Sequence, residues 1–223
     1  HRFGRKALTA IEESRERVAN AVNAHPSQVI FTASGTESNN MIIHGIAESY
    51  PESFFAYSAI EHPCVSQPIQ ALTNKGFSSI MLPVTMGGLI DFAALKKQDQ
   101  FPNVVSIMMV NNETGIIQDM PHIVSWAKEH NAFVHTDAVQ ALGKIDVDFD
   151  QLDLDAMTIS SHKIYGPQGI AALIVNKKID LTPFMRGGGQ EKGFRSGTEN
   201  LAGIVGFGKA CERVTNNIVT FKQ

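Results

Sequence analysis

The sequence predicts an α/β fold: a three-layer, mostly parallel mixed sheet with helices on both faces. Short apolar segments typical of strands alternate with helical segments almost to the end of the chain. The segment VVSIMMV, at 104–110, is almost entirely apolar, which indicates a strand buried on both faces. No Pro/Gly/Ser-rich linker divides the sequence, so residues 1–223 are predicted to form one domain.

The predicted helices carry apolar residues at helical spacing. In 5–24, Leu8, Ile11 and Val18 recur on one side with charged residues between them, and Pro26 lies just beyond the end. A second helix is predicted from the Ser34-Gly35-Thr36 loop to about residue 49. The others are predicted from about residue 65, and over 91–97, 120–130 and 199–214.

The predicted strands are short apolar segments placed between these helices. The spacing leaves a helix or a longer connection between most neighbouring strands, which favours parallel pairing. The predicted strands cover 29–32, 54–59, 78–84, 104–110, 132–137, 155–160 and 170–175.

Composition excludes several function classes. The net charge of −3 and the scattered Lys and Arg residues give no basic surface for nucleic acid or for a membrane. No apolar stretch approaches the length of a membrane span, and no signal peptide is expected. Two cysteines, Cys64 and Cys211, make neither a disulfide framework nor a metal motif. A cytoplasmic, reducing compartment is therefore expected.

Polar and reactive residues follow five of the predicted strands. Ligands of open α/β sheets bind beyond the carboxyl ends of strands, so these groups are expected to meet in one crevice. Any one of them, Thr36 or Gln140 for example, could instead be an ordinary turn or cap residue. The groups are Ser34-Gly35-Thr36, Glu61-His62, Asn112, Asp137 with Gln140, and Ser160-Ser161-His162-Lys163.

The loop Ser34-Gly35-Thr36 leads from a strand into a helix. Gly35 allows close backbone approach to a ligand, and the free N–H groups of a helix N-terminus suit a phosphate. Thr36 could equally be only a helix N-cap. Neither a dinucleotide-binding nor a P-loop motif is present in the sequence.

Lys163 and Asp137 carry the most specific chemistry. Lys163 directly follows a strand in SSHKIYGPQG, and desolvation there would lower its pKa so that a neutral amine could attack an aldehyde. Asp137 ends a buried strand, where a carboxylate needs a cationic partner or hydrogen bonds. A protonated pyridine nitrogen is such a partner.

These segments together resemble a known family. The motifs SSHKIYGPQG, HTDAVQALGK, VNNETG, the Glu61-His62 pair and GGGQEKGFRSGTEN are similar to the fold-type I, pyridoxal-phosphate (PLP) enzymes of aminotransferase class V. Within that class the chain most resembles the cysteine desulfurases of the iron–sulfur-cluster and nitrogen-fixation type. The resemblance implies the PLP-binding large domain of such an enzyme.

The resemblance also implies a role for each matching residue. Lys163 would bind PLP covalently, Asp137 would pair with the ring nitrogen, and His62 would stack on the ring and act in proton transfer. Gln140 and Asn112 would contact the phenolic oxygen, with Asn112 also near the substrate carboxylate. The phosphate would be held by Gly35, Thr36, Ser160 and His162. Alternatively, His62 could be only a helix-cap residue before Pro63.

The family arrangement implies a homodimer with shared active sites. A threonine that matches Thr198 reaches the phosphate of the neighbouring subunit in the family, although Thr198 could instead simply cap the last helix. The implied substrate is L-cysteine or a similar small amino acid, converted to L-alanine. A scaffold protein would be a possible acceptor of the sulfur.

The chain departs from the family pattern at both ends. In the family, the cysteine that accepts sulfur and an arginine that binds the substrate carboxylate come from a smaller C-terminal domain beyond the RSGT segment. That domain and an N-terminal segment are expected to be absent here, so the chain alone is expected to be weak or inactive. Cys211 is predicted to be a buried structural thiol, and a catalytic role for Cys64 is disfavoured.

Two other functions remain open from the sequence. The chain could be a different class V enzyme, a transaminase or lyase acting on a small amino acid. It could also be a truncated binding or dimerisation module whose cofactor site is vestigial.

Overall fold

The computed structural model describes residues 2–95 and 100–221. Six helices, seven strands and three short 3-10 turns make up the described chain, and helices and strands alternate from α1 to β5, whereas β5, β6 and β7 follow one another without an intervening α-helix. The helices are α1 (Arg2–Asn20), α2 (Gly35–Ser49), α3 (Pro63–Thr73), α4 (Phe92–Leu95), α5 (Met120–Glu129) and α6 (Leu201–Phe221). The strands are β1 (Val29–Thr32), β2 (Phe54–Ser58), β3 (Ser78–Leu82), β4 (Val104–Ser106), β5 (Phe133–Asp137), β6 (Ala156–Ser160) and β7 (Ala171–Val175).

All seven strands form one mixed sheet in the order β1-β7-β6-β5-β4-β2-β3. Strands β6, β5, β4, β2 and β3 pair in parallel, and β7 alone runs antiparallel to its neighbours β1 and β6. Because only β7 is reversed, the other six strands end at the same edge of the sheet. The predicted mostly parallel mixed sheet is confirmed, and its carboxyl edge is where ligands bind in such folds.

Helices cover both faces of the sheet and make three layers. One hydrophobic cluster joins α1, α5 and α6 to one face. A second cluster joins α2 and α3 to the other face. Alternation along β5 shows how the sequence sorts its side chains: Val134 packs in the first cluster, whereas Phe133 packs against the second. By the same alternation His135 and Asp137 face α2 and α3.

Most predicted boundaries agree with the structure to within two residues, but three elements differ by more. Strand β4 ends at Ser106 rather than residue 110, because the backbone N–H of Met108 turns away to bond a side-chain carboxyl group. Helix α1 ends at Asn20, after which Asn23 adopts a left-handed conformation (φ 49°) that stops the helix. Helix α6 is longer than predicted and runs to Phe221. Of the helix predicted over 91–97, the last two residues lie outside the described residues.

A buried ion pair ties α1 to the glycine-rich segment that precedes α6. Arg15 donates two hydrogen bonds to the carboxylate of Glu191, at 2.7 and 2.8 Å, and one to the carbonyl of Val29 at 3.0 Å. Glu191 also accepts from the backbone N–H of Phe31 at 2.8 Å. Both side chains are 4% exposed, so the pair connects three segments inside the protein.

Across residues 2–95 and 100–221, no helix combines the length and the apolar character needed to cross a membrane.

Replacing Arg15 by alanine should lower the free energy of unfolding by about 3–5 kcal/mol, because it leaves the Glu191 carboxylate buried without its partner. Arg17, on the same helix, is the matched control. Its ion pairs with Glu13 and Glu212 are exposed to solvent, so Arg17→Ala should change stability by no more than about 1 kcal/mol. Urea unfolding of both variants measures the difference, and equal losses would contradict this account of the pair.

His135 should make the protein less stable in acid. The ring is 1% exposed, lies within 2.8 Å of Ser106 Oγ and 3.1 Å of Thr158 Oγ1, and burial lowers its pKa to about 3. In the unfolded chain the pKa of this histidine is about 6.5, so in acid the unfolded state binds a proton that the folded state does not bind. The free energy of unfolding therefore falls as the pH drops below about 6.5. Between about pH 7.5 and pH 5, protonation of His135 in the unfolded state should lower the free energy of unfolding by about 2 kcal/mol.

The measurement is urea unfolding of the wild type and of His135→Gln across that pH range. The variant lacks the titrating ring, so its stability should fall less steeply with acid. Parallel pH profiles for the two proteins would show that His135 does not contribute.

Candidate active site

A cleft of about 250 Å³ opens at the edge where the parallel strands end. Nine of the ten residues predicted for the site line it, and only Thr198 does not. The lining residues are Gly35, Thr36, His62, Asn112, Asp137, Gln140, Ser160, His162 and Lys163, joined by Ser34, Cys64, Met108 and Val139. Residues that are far apart in sequence therefore meet in one hollow because their strands share a direction.

The loop before α2 presents free backbone donors to the cleft. Ser34 is the N-cap of α2, and its Oγ accepts a hydrogen bond from the backbone N–H of Glu37 at 3.1 Å. The alternative that Thr36 is only the N-cap is therefore wrong, since Thr36 lies in the first turn and is exposed. A Cβ at position 35 would lie 3.1 Å from Val139, so glycine keeps this entrance open. The arrangement suits a phosphate.

The segment after β6 supplies the second side of the cleft. Ser160 and His162 are linked through Oγ and Nδ1 at 2.9 Å, and a 3-10 turn over Ser161–Ile164 follows. Burial and then the nearby charge of Lys163 lower the pKa of His162. A neutral imidazole and a hydroxyl group at this position can both bind phosphate oxygens.

Lys163 lines the cleft but is exposed, so the predicted desolvation of its amine is not found. The reason is local: the 3-10 turn projects beyond the end of β6, where the described chain leaves the lysine open to solvent. Its charge still acts on its surroundings, because burial and then Lys163 lower the pKa of Lys144. Lys144 in turn donates to Gln140 Oε1 at 2.5 Å.

Asp137 is buried at the floor of the cleft, with 6% of its surface exposed. Its carboxylate accepts hydrogen bonds from the backbone N–H of Val139 at 3.0 Å and from Asn39 Nδ2 at 2.7 Å. Burial raises its pKa. The two hydrogen bonds, any positive charge on His62 and a weak hydrogen bond from the Cys64 thiol, 3.9 Å from Oδ2, partly oppose that effect. Within the described residues no Lys or Arg pairs with it, so the carboxylate is suited to a cationic ligand.

His62 both caps α3 and lines the cleft, so the two interpretations of this residue are compatible. Its Nδ1 accepts from the backbone N–H of Cys64 at 3.2 Å, which leaves Nε2 to carry the proton of the neutral ring. The Cys64 sulfur lies 2.9 Å from the same Nδ1. Burial raises the pKa of Cys64 to about 11, so this cysteine is a thiol rather than a reactive thiolate.

Glu61, next to His62, carries a buried carboxyl group whose function the sequence did not reveal. Its Oε1 accepts from Ser58 Oγ at 2.6 Å and from the backbone N–H of Met108 at 2.7 Å. The other oxygen is buried and has no hydrogen-bond partner among the described residues. Burial raises the pKa of Glu61 to about 8, so it is mostly neutral at pH 7 and joins the loops that carry His62 and Asn112.

Asn39 is a second residue of the site that the sequence argument missed. It is completely buried on α2, where its amide contacts Asp137 and lies 3.0 Å from the Cys64 sulfur. Asn39 lies three residues after Thr36, so one turn of helix brings both to the same side. That spacing was the available signal, but nothing in the sequence showed that this side meets β5.

Thr198 is exposed and lies in a separate hollow with Arg195 and Asn200. It does not cap α6, because Asn200 Oδ1 accepts the backbone N–H of Gly203 at 3.0 Å and fills that role. Arg195 pairs with Glu37 through Nε and Oε1 at 2.7 Å. The segment before α6 is thus attached to the first turn of α2, beside the cleft.

The family and the relatives of the chain agree with this geometry. The Aminotransferase class-V family model matches residues 1–221. Cysteine desulfurase IscS of Dictyoglomus turgidum is 45% identical over 215 residues, covering 95% of this chain and 55% of that protein. The mitochondrial cysteine desulfurase of Arabidopsis thaliana is 43% identical over 217 residues, covering 95% of this chain and 48% of that protein.

Solved structures show the same fold. A NifS-like protein superposes with a TM-score of 0.95 at 36% identity, covering 99% of this chain and 62% of that chain. SspA in complex with cysteine superposes with a TM-score of 0.90 at 38% identity, covering 95% and 62%. The chain spans about half the length of the curated relatives it matches. On its sequence and its fold together, the chain belongs to the aminotransferase class V family.

Proposed function

We propose that this chain is the PLP-binding core of a cysteine desulfurase, which converts L-cysteine to L-alanine and passes the sulfur to an enzyme cysteine. The observation that carries the proposal is that Lys163 and Asp137 line one cleft at the carboxyl edge of the sheet. Relatives named cysteine desulfurase, 41–45% identical, support the reaction, and SspA in complex with cysteine supports the substrate. On this proposal residues 1–223 are the large domain.

The cofactor of aminotransferase class V is PLP, and the residues present fit it. The N-terminus of α2, together with Ser160 and His162, can bind the phosphate group of PLP, and the Lys163 amine can react with its aldehyde. The buried carboxylate of Asp137 can pair with its protonated ring nitrogen. When bound, PLP supplies a ring that accepts electrons released at the α-carbon of an amino acid.

The remaining residues would orient this group and the substrate. His62 would lie against the ring, fixed in place because its Nδ1 is held at the start of α3. Gln140, whose oxygen is occupied by Lys144, keeps its amide N–H groups for the phenolic oxygen, together with Asn112. Lys163 and His62 would move the proton at the substrate α-carbon.

Neither thiol of the chain is suited to accept the sulfur. Burial raises the pKa of both cysteines, to about 11 for Cys64, while Cys211 is completely buried in α6, as predicted for a structural thiol. Attack on sulfur requires a thiolate that can reach the substrate. The proposal therefore assigns this step to a cysteine outside residues 1–223.

The proposal extends to the partners of the protein. We infer a homodimer in which Thr198 contacts the phosphate of the neighbouring subunit, an inference supported by its exposed position beside Arg195. The sulfur would supply iron–sulfur clusters through an acceptor scaffold protein. A cytoplasmic location is part of this proposal, and the relatives include both bacterial and mitochondrial proteins.

Lys163→Ala should abolish covalent attachment of PLP, because Lys163 is the only lysine among the described residues that line the cleft. The control is Lys178→Ala, whose exposed lysine follows β7 at the opposite edge of the sheet. The measurement is borohydride trapping followed by peptide mass spectrometry, which should find PLP on Lys163 in the wild type and in the control. Wild-type protein that stays colourless with PLP would instead support the non-catalytic module.

L-Cysteine should give L-alanine and sulfide with the complete gene product, measured by amino-acid analysis under reducing conditions. The 223-residue chain should be at least about tenfold slower, because covalent transfer of sulfur needs a nucleophile that the chain lacks. Faster turnover of another small amino acid, with a keto acid or by elimination, would favour a transaminase or a lyase.

A further inference from the structure

We propose that Asn39 is a positioning residue for Asp137, and that the hydrogen bond from its amide fixes the carboxylate for contact with the ring nitrogen of PLP. This inference rests on the proposed function, and it adds a residue of α2 to a site otherwise built from loops and strand ends.

The contacts of Asn39 determine how its amide is oriented. Nδ2 donates to Asp137 Oδ2 at 2.7 Å and to the Cys64 sulfur at 3.0 Å, so both of its N–H groups are used. Oδ1 is buried and has no hydrogen-bond partner among the described residues. Turning the amide around would place that oxygen against a carboxylate oxygen, which is repulsive. The unpaired oxygen is therefore the consequence of holding Asp137.

The hydrogen bond also determines the charge of Asp137. Burial raises the pKa of this carboxyl group, and the donors Val139 N–H and Asn39 Nδ2 oppose that rise. Without Asn39 the neutral acid becomes more stable. A neutral acid no longer offers the negative charge that keeps a pyridine nitrogen protonated. Asn39 thus supports both the direction and the ionisation of the carboxylate.

Three other described titratable groups interact with Asp137, and none replaces Asn39. Any positive charge on His62, at the start of α3, favours the Asp137 anion. Cys64, on the same helix, is a neutral thiol at pH 7, and at 3.9 Å from Asp137 Oδ2 it donates only a weak hydrogen bond. Glu61, in the loop before α3, is mostly neutral at pH 7, and its ionisation above about pH 8 would add a like charge. The only side-chain amide bound to the carboxylate in the described chain is that of Asn39.

Asn40 provides a matched control on the same helix. Its amide donates to the backbone carbonyl of Thr36 at 3.0 Å, and the side chain is only partly buried. Asn40→Ala therefore removes one asparagine amide from α2 without touching Asp137.

The experiment reconstitutes the wild type, Asn39→Ala, Asn39→Asp and Asn40→Ala with PLP labelled with ¹⁵N in the ring. The ¹⁵N chemical shift reports protonation of the ring nitrogen as a function of pH, and equilibrium dialysis reports PLP affinity. In Asn39→Ala the ring nitrogen of the bound PLP should lose its proton at a pH about one unit lower than in the wild type. The variant should also bind PLP about tenfold more weakly, as expected for one lost charge-assisted hydrogen bond. Asn40→Ala should match the wild type in both.

Asn39→Asp keeps the shape of the side chain and tests the hydrogen bond itself. In acid the substituted group is a neutral carboxylic acid that can donate a hydrogen bond to Asp137. Protonation of the ring nitrogen and the affinity for PLP should then approach those of the wild type. As the pH rises it becomes an acceptor beside a carboxylate, and affinity should fall. A role in packing alone would give no such recovery in acid.

The outcomes separate this inference from the proposed function. Wild-type protein without PLP binding would overturn the proposed function. Wild-type binding together with an unchanged ring-nitrogen titration in Asn39→Ala would overturn the role of Asn39 alone. If Asn39→Ala does not fold, the isosteric Asn39→Asp decides: pH-independent affinity in that variant would also overturn it.

Discussion

The buried carboxylate of Asp137 is the constraint on which the rest of the site depends. It lies at the end of β5 with 6% of its surface exposed, and no Lys or Arg among the described residues pairs with it. A buried carboxylate in this condition is unfavourable unless donors and a cation compensate for lost solvation. The protein supplies the donors from Val139 and Asn39, and PLP would supply the cation. Stability and cofactor binding are therefore connected through one carboxylate.

Sheet direction explains why so much of the site followed from sequence. Polar residues after parallel strands must meet at the carboxyl edge, so His62, Asp137 and Lys163 could be placed together without knowing any contact. The same rule gave the three layers, because strands apolar on both faces require helices on each side. These conclusions depend on the spacing of apolar residues and on the order of strands and helices along the chain, both of which can be seen in a sequence.

Other features of the site depended on contacts that a sequence does not display. Asn39 lies inside a helix, and its function appears only when α2 packs over β5. Glu61 stood beside His62 in a motif, but its link to the backbone of Met108 needed the three-dimensional path of the segment after β4. The exposure of Lys163 was mispredicted because the end of a buried strand does not determine where the following turn points.

The cleft contains one part made by neighbouring segments of the chain and one made by distant segments, and the reversed strand β7 is the reason for the first. Because β6 and β7 pair antiparallel, Lys163 lies in a local connection between neighbouring strands. The bond from Asn39 to Asp137 instead joins residues 98 positions apart. Local contacts form with a small loss of chain entropy, whereas distant ones require most of the chain to be in place. The turn at Lys163 can thus form as soon as β6 and β7 have been synthesised. The bond between Asn39 and Asp137 joins residues that are synthesised earlier, but it forms only when β5 docks against α2.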